Sequence, residues 1–247
     1  MLGTRQKIII FLLPIALIII FILIKFLYPA FYGIIISEDH FVEYFQVFLY
    51  FISFITTLFI SITFFRSGKS SFGIFYLVLS LVLLFWTLDE ISWGQRIFNI
   101  SNPQYFETQN AQKEISVHNL NIFQDYLDEA YIALGFYGAF ASFLIPGSLK
   151  DRFKKKLQFI IPDWYLGFYF SPVFLIYLFF GYISPFMVHY YEKDLFRIGN
   201  VIIWRDQEPA ELLLASGLAI FFMINSLLAT NKEFLPPPDK KKHYHTN

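Results

Sequence analysis

The sequence predicts an all-α, polytopic membrane bundle of about six transmembrane helices with a partly helical surface segment. Of the 247 residues, 56% are hydrophobic and 15% are charged, whereas a soluble domain carries about 25% charged residues. Several apolar runs reach about 20 residues, the length that a helix needs to cross a bilayer. Lys and Arg are concentrated between alternate runs, a pattern typical of membrane proteins.

Six apolar runs are the expected spans. They cover approximately residues 8–27, 41–65, 72–93, 130–146, 164–183 and 209–229. The fourth run is short for a span, so its ends are the least defined. We therefore expect one transmembrane domain over residues 1–235, followed by a disordered cytoplasmic tail at 236–247 that is rich in Pro and Lys.

The distribution of Lys and Arg predicts the orientation of the chain. In a six-span arrangement the short basic pieces all fall on one face, namely the N-terminus, residues 66–69, residues 150–156 and the tail. The positive-inside rule places this face, and both termini, in the cytoplasm. The other face receives most of the acids. The net charge of zero gives no support for a nucleic-acid partner, and the absence of Cys excludes disulfides and thiolate sites.

The second predicted helix carries a stripe of polar residues at steps of three and four. The stripe consists of Asp39, Glu43, Gln46, Tyr50, Ser53, Thr57 and Ser61. Such a line occupies one helical face, which we expect to point into the bundle because lipid would not solvate it. Ser37 is the expected N-cap. Because capping would not reach Glu43, we assign Glu43 to a functional site.

The third helix ends in a stretch that combines two acids, a Trp and an Arg. Asp89 and Glu90 lie at the C-terminal end, where a carboxylate gains nothing from the helix dipole. Asp89, Trp93 and Arg96 share one face, so one acid is expected to pair with Arg96 while the other points into the bundle. The alternative is a structural ion pair with Trp93 as an aromatic anchor at the interface.

Two further patterns suggest site residues. Glu114 and His118 are four residues apart, and on a helix they would be neighbours, suited to a metal or to a Glu-oriented imidazole base; a solvated loop histidine is the alternative. Arg205 could clamp a phosphate or carboxylate, and Glu208 and Glu211 flank the start of the sixth helix. Their alternative role is simply to begin that helix.

These motifs together resemble a family of uncharacterised bacterial multi-span membrane proteins. The resemblance covers roughly residues 35–215 and rests on Glu38-Asp39 with Glu43, Asp89 to Arg96, Asn110-Ala111-Gln112 with Glu114 and His118-Asn119-Leu120, and Glu208 with Glu211. It implies a location in the bacterial inner membrane and no known activity. The outline is also similar to alkaline-ceramidase-like membrane hydrolases, although the chain lacks their paired His on a late helix.

The expected function is that of a membrane enzyme acting on a lipid or lipid-linked substrate, as a hydrolase or a transferase. The predicted catalytic residues are Glu43, Asp89, Glu90 and His118, and the predicted substrate-binding residues are Gln95, Arg96, Arg205, Glu208 and Glu211. A divalent metal is the candidate cofactor, with Glu43, Glu90, Glu114 and His118 as candidate ligands. The alternatives are a transporter or proton-coupled channel, and a structural subunit with a membrane-protein partner.

Overall fold

The computed structural model describes residues 2–37, 39–110, 112–146, 148, 151–183, 197–198 and 202–231. The α-helices are α1 Thr4–Leu27, α2 Pro29–Ile35, α3 Phe41–Arg66, α4 Ser70–Glu90, α5 Gln104–Gln109, α6 Asn121–Phe140, α7 Asp151–Leu157, α8 Gly167–Leu178 and α9 Gln207–Thr230. Short helical turns lie at Ser92–Gly94, Ala141–Leu144, Trp164–Leu166, Phe179–Ile183 and Trp204–Asp206. The two-residue strands β1 Arg197–Ile198 and β2 Ile202–Ile203 pair antiparallel. The predicted tail and most of the connector before α9 lie outside the described residues.

The predicted all-α membrane bundle is confirmed. Among the described residues five helices are long and apolar enough to cross a membrane, and they match five predicted spans: Thr4–Leu27, Phe41–Arg66, Ser70–Glu90, Trp164–Tyr182 and Gln207–Thr230. The third span ends at Glu90 rather than at residue 93. It stops there because Ser92, Trp93 and Gly94 have positive φ angles, which an α-helix cannot accommodate.

The fourth predicted span, residues 130–146, corresponds to a helix with different ends. α6 begins earlier, at Asn121, and changes into the turn Ala141–Leu144. Its first half contains acids, so α6 is less apolar than the five helices that are long and apolar enough to cross a membrane. α6 nevertheless packs closely along α8, because a Cβ at Gly135 would lie 2.7 Å from the backbone nitrogen of Phe174. Its crossing of a membrane remains a prediction.

The helices pack around α9, which contacts α3 on one side and α8 on the other. α4 packs against α3, and α6 packs against α8. In the most apolar 18 residues of α9, 56% are buried, compared with 6% in the corresponding stretch of α1. Helix α1 therefore presents most of its surface outward, whereas α9 forms the centre of the core.

Polar contacts between helices concentrate at the two ends of the bundle. At the basic end, the Lys7 ammonium lies 5.4 Å from the Tyr165 ring centroid, and the Tyr76 hydroxyl donates to the Phe159 carbonyl oxygen over 2.7 Å. The other end, here called the acidic end, joins the C-terminal ends of α1, α4 and α8 to the N-terminal ends of α3, α6 and α9. The cytoplasmic assignment of the basic end remains a prediction.

Candidate functional site

The polar stripe of α3 faces the protein interior, as predicted. Gln46, Tyr50, Ser53, Thr57 and Ser61 are all buried. Beyond Tyr50, however, two of the three stripe hydroxyls bond within the helix itself. Ser53 donates to the Leu49 carbonyl oxygen and Thr57 to the Ser53 carbonyl oxygen, each over 2.8 Å within α3. The stripe also bonds to other helices at both of its ends, where Gln46 donates to the Glu208 carbonyl oxygen over 2.9 Å and Ser61 donates to the Gly73 carbonyl oxygen of α4 over 2.7 Å.

Two expectations about the start of α3 are wrong: Ser37 is not the N-cap, and capping does reach Glu43. The helix begins at Phe41 with His40 at the N-cap, while the Ser37 hydroxyl donates to the Ile34 carbonyl oxygen. The Glu43 carboxylate accepts the Asp39 backbone N–H over 2.6 Å. Capping thus does reach Glu43, because a carboxylate at the third helical position folds back over the exposed N–H groups. Glu43 also interacts electrostatically with Glu208, so it lies near the candidate site.

Asp89 is buried and accepts hydrogen bonds from three residues. The donors are the Trp93 indole N–H at 2.9 Å, the backbone N–H groups of Val117 at 2.8 Å and His118 at 2.9 Å, and the His118 Nδ1 at 2.8 Å. The expected partner of one of the two acids was Arg96, but Arg96 instead pairs with Asp39 and Glu114. Because four hydrogen bonds occupy the Asp89 carboxylate, the geometry supports a role for Asp89 in positioning the His118 ring.

Glu114 forms the centre of a second buried network. It accepts hydrogen bonds from Ser92 and Arg96, both at 2.7 Å, and from Asn119 at 2.9 Å. Residues 112–119 are turns and bends rather than a helix, so the helical proximity expected for Glu114 and His118 is wrong. The chain reverses direction between Asn110 and Leu120, whose backbones form an isolated bridge. This reversal brings the His118 imidazole to Asp89, which orients it.

The sequence motifs of residues 89–96 and 110–120 therefore form one structural unit, here called the clasp. Gln95, a predicted substrate-binding residue, accepts the Ile115 backbone N–H over 2.7 Å. The Asn110 amide donates to the Ser116 carbonyl oxygen over 2.8 Å. Much of the polar chemistry in these two motifs serves to dock the surface segment onto the end of α4.

A second set of acids lies behind the clasp. Glu211 accepts hydrogen bonds from the Tyr131 hydroxyl, at 3.2 Å, and from the Tyr177 hydroxyl. The Gln46 amide donates to the Glu208 carbonyl oxygen over 2.9 Å. Glu90 interacts electrostatically with both Glu208 and Glu211. The structure thus brings these three predicted site residues from α4 and α9 together.

Aromatic rings connect His118 to Glu211. The Trp86 ring stacks on His118 with centroids 6.2 Å apart and meets the Tyr131 ring edge-on at 6.1 Å. Tyr131 stacks on Tyr177 at 4.5 Å, and both phenols donate to Glu211. The two polar regions therefore belong to one continuous site, named the acid–aromatic site, which comprises Trp86, Glu90, His118, Tyr131, Tyr177, Glu208 and Glu211.

His118 is expected to be positively charged at neutral pH. Burial by itself would lower the pKa of the imidazole, but the hydrogen bond to Asp89 and the charges of Glu90, Asp89 and Glu114 raise it to about 9. The side chain is 17% exposed. With Asp89 on Nδ1, the other ring nitrogen is the atom that could exchange a proton with a ligand.

Asp206 is a structural residue that the sequence did not single out. It accepts hydrogen bonds from Lys25 and from the Tyr32 hydroxyl, the latter at 2.7 Å, and from the Ile203 backbone N–H at 2.9 Å. The only signal in the sequence was Lys25, the single charged residue in the first apolar run. The contact connects α1 and α2 to the start of α9.

The candidate metal ligands do not converge. Among the described residues, no group of three or more His, Asp or Glu side chains is arranged to hold a metal ion. Glu114 is occupied by its own clasp partners, whereas Glu90 and His118 lie in the acid–aromatic site. Arg205 interacts electrostatically with Glu208 and so lies near that site.

Comparison with known proteins gives no family assignment. No protein-family model matches the chain, and no curated protein or solved structure matches it either. The resemblance drawn from the motifs therefore remains an expectation. What is established is a bundle whose apolar helices fit an integral membrane protein, with an acid–aromatic site at one end.

Proposed function

We propose that this protein is a membrane enzyme that acts on a lipid or lipid-linked substrate at the acid–aromatic site. The observation that carries the proposal is the pairing of Asp89 with His118 Nδ1 at 2.8 Å, beside the electrostatically coupled carboxylate of Glu90. A carboxylate-held imidazole next to a second acid is an arrangement suited to proton transfer. Since the site lies at one end of apolar helices, a lipid headgroup is the substrate whose location matches it.

The positive charge of His118 determines which residue donates a proton and which accepts one in this proposal. With a pKa of about 9, the resting imidazole is a proton donor rather than the base first expected. His118 would donate a proton to the oxygen of a leaving group or stabilise a developing negative charge, and Glu90 would accept a proton from the attacking hydroxyl or water. Asp89 would hold the imidazole in its reactive orientation. Such a hydrolysis or group transfer needs no redox partner.

The proposal is tested by reconstituting the purified protein in vesicles made from a total polar lipid extract and following the lipids by mass spectrometry. We expect the wild type to convert at least one lipid species, and Glu90→Gln and His118→Asn to reduce its rate by about 100-fold or more, the usual contribution of an acid or base. The matched control is Glu107→Gln, which changes an exposed acid on α5 and should leave the rate unchanged.

Two outcomes would refute the enzyme proposal. One is that wild-type protein changes no lipid in the extract. The other is that Glu90→Gln and His118→Asn both retain the full rate. Proton flux into the same vesicles would instead support the transporter alternative, which receives little support from Ser53 and Thr57, because their hydroxyls bond within α3. A stoichiometric co-purifying protein would support the assembly alternative.

A further inference from the structure

The turn that follows α4 has a polar side and an apolar side. The polar side faces the clasp, where Gln95 accepts from the Ile115 backbone N–H and Arg96 pairs with Glu114 and Asp39. The next two residues are apolar and make few contacts with the protein, since Ile97 is 70% exposed and Phe98 is 74% exposed. Two large apolar side chains with this exposure are costly in water.

This apolar side is continuous with the outward surface of a spanning helix. The Trp93 ring meets the Phe85 ring edge-on at 5.6 Å, and Phe85 belongs to the exposed apolar face of α4, with Val78, Leu81 and Val82. Exposed apolar residues also occur further along, at Ile100 and Tyr105. The exposed apolar side chains that follow α4 are here called the boundary patch: Trp93, Ile97, Phe98, Ile100 and Tyr105.

The length of α4 places the boundary patch at the edge of a bilayer. Its 21 residues extend about 31 Å at 1.5 Å per residue, which matches the hydrocarbon thickness of about 30 Å. The turn after Glu90 stays near that end of the helix, because the Trp93 indole donates to Asp89 over 2.9 Å and the Phe98 backbone N–H bonds to the Gly94 carbonyl oxygen over 2.9 Å. Trp and Tyr are enriched at this level of membrane proteins.

We propose that the boundary patch is an interfacial membrane anchor, with Ile97 and Phe98 inserted among the acyl chains of the adjacent leaflet. The occupant of this surface is lipid rather than a protein, because the patch extends the face of α4 that the bilayer already covers. The arrangement is that of a monotopic amphipathic segment, polar toward the protein and apolar toward lipid. This anchor does not depend on catalysis. It would set the depth at which the clasp lies in the membrane.

Spin labelling tests the proposal directly, because the chain contains no Cys and each introduced thiol is unique. Three single variants are labelled with a nitroxide and reconstituted in phosphatidylcholine vesicles: Phe98→Cys, Lys113→Cys as the exposed polar control in the clasp, and Leu81→Cys as the control within the span. Collision rates with oxygen, which partitions into lipid, and with a water-soluble nickel chelate are then measured. Ile97→Cys serves as a second reporter if Phe98→Cys perturbs the turn.

We expect the label at position 98 to favour oxygen over the nickel chelate by several-fold more than the label at position 113, and to approach the ratio at position 81. A ratio equal to that at position 113 would overturn the proposal, because the patch would then lie in water. Protection from both reagents would also overturn it, since a protein partner or a second copy would then cover the patch. The enzyme assay with lipid is unaffected by either result, so the two proposals can fail separately.

Discussion

Asp89 accepts four hydrogen bonds, from the Trp93 indole, two backbone N–H groups and the His118 ring. A carboxylate with this many donors stays ionised and holds each donor in place. Its main effect on chemistry is therefore exerted through His118, whose orientation it holds and whose positive charge it stabilises. Glu90, the neighbouring residue in the sequence, is left to interact with Glu208 and Glu211 across the acid–aromatic site.

The charge on His118 predicts a pH dependence of stability. Its pKa is about 9 in the folded protein and about 6.5 in an unfolded chain, a difference worth about 3 kcal/mol. Because folding raises this pKa, the stabilisation is fully present below pH of about 6.5 and is lost as the pH rises toward 9. We expect the thermal midpoint in detergent to fall across this window, as followed by circular dichroism.

The control for this prediction is His118→Asn, which should have a lower midpoint below pH of about 6.5 and a flatter profile above it. His40→Asn changes an exposed histidine at the start of α3 and should retain the wild-type slope. An unchanged slope in His118→Asn would show that another group is responsible for the pH dependence.

At the scale of an element, the clasp explains how residues 91–110 and 112–120 adopt a defined path without forming one long helix. Its side chains replace the backbone hydrogen bonds that a helix would supply, as Asn110 does for Ser116 and Gln95 does for Ile115. Positive φ angles at Ser92, Trp93 and Lys113 each carry a conformational cost. The side-chain network offsets this cost and holds His118 over Trp86.

Glu114→Gln is expected to loosen the clasp. The change removes the charge that pairs with Arg96 and places an amide N–H₂ where the carboxylate accepts from Ser92 and Asn119. The expected loss is about 1–3 kcal/mol, the cost of leaving buried polar groups without partners. Hydrogen exchange followed by mass spectrometry should show faster exchange in residues 91–120 and unchanged exchange in α9.

A matched control for the clasp is Glu107→Gln on the exposed side of α5. It should leave the exchange of residues 91–120 as in the wild type. If Glu114→Gln accelerates exchange equally in all helices, the clasp is not an independent element and the local interpretation is wrong.

At the scale of the whole molecule, α1 is held to the bundle mainly at its two ends. Little of its surface is buried, but Lys25 in its last turn pairs with Asp206, which also accepts from Tyr32 in α2. At the other end Lys7 lies over the Tyr165 ring. The pair between Lys25 and Asp206 is mostly buried, with each side chain 12% exposed, so it fixes the start of α9 as well as the end of α1.

Lys25→Met is expected to lower the stability by about 3–5 kcal/mol, because it leaves the Asp206 carboxylate buried without its cation. The measurement is the thermal midpoint in detergent, together with proteolysis at the junction between α1 and α2. The double variant Lys25→Met/Asp206→Asn removes both charges, and we expect it to be more stable than Lys25→Met alone. If the double variant is no more stable than Lys25→Met, the ion pair does not connect α1 to α9.

Five spans could be placed from the sequence because long apolar runs predict membrane helices residue by residue. The fourth was harder to place, since the first half of α6 contains three acids and its apolar run is short. The grouping of Glu90, Glu208 and Glu211 was also predictable, because the six predicted spans bring the corresponding helix ends to the same face. The stripe of α3 was assigned to the interior by its helical spacing alone.

The sequence by itself determined which segments are apolar helices and which ends carry the acids, because hydropathy and helical periodicity are local properties. Only the tertiary structure decided which donors and cations pair with each acid. Asp89 finds its donors at Val117 and His118, Arg96 finds Asp39 and Glu114, and Lys25 finds Asp206. A buried carboxylate must be matched by whichever donors other segments bring to it, and residues far apart in the chain supply those donors here.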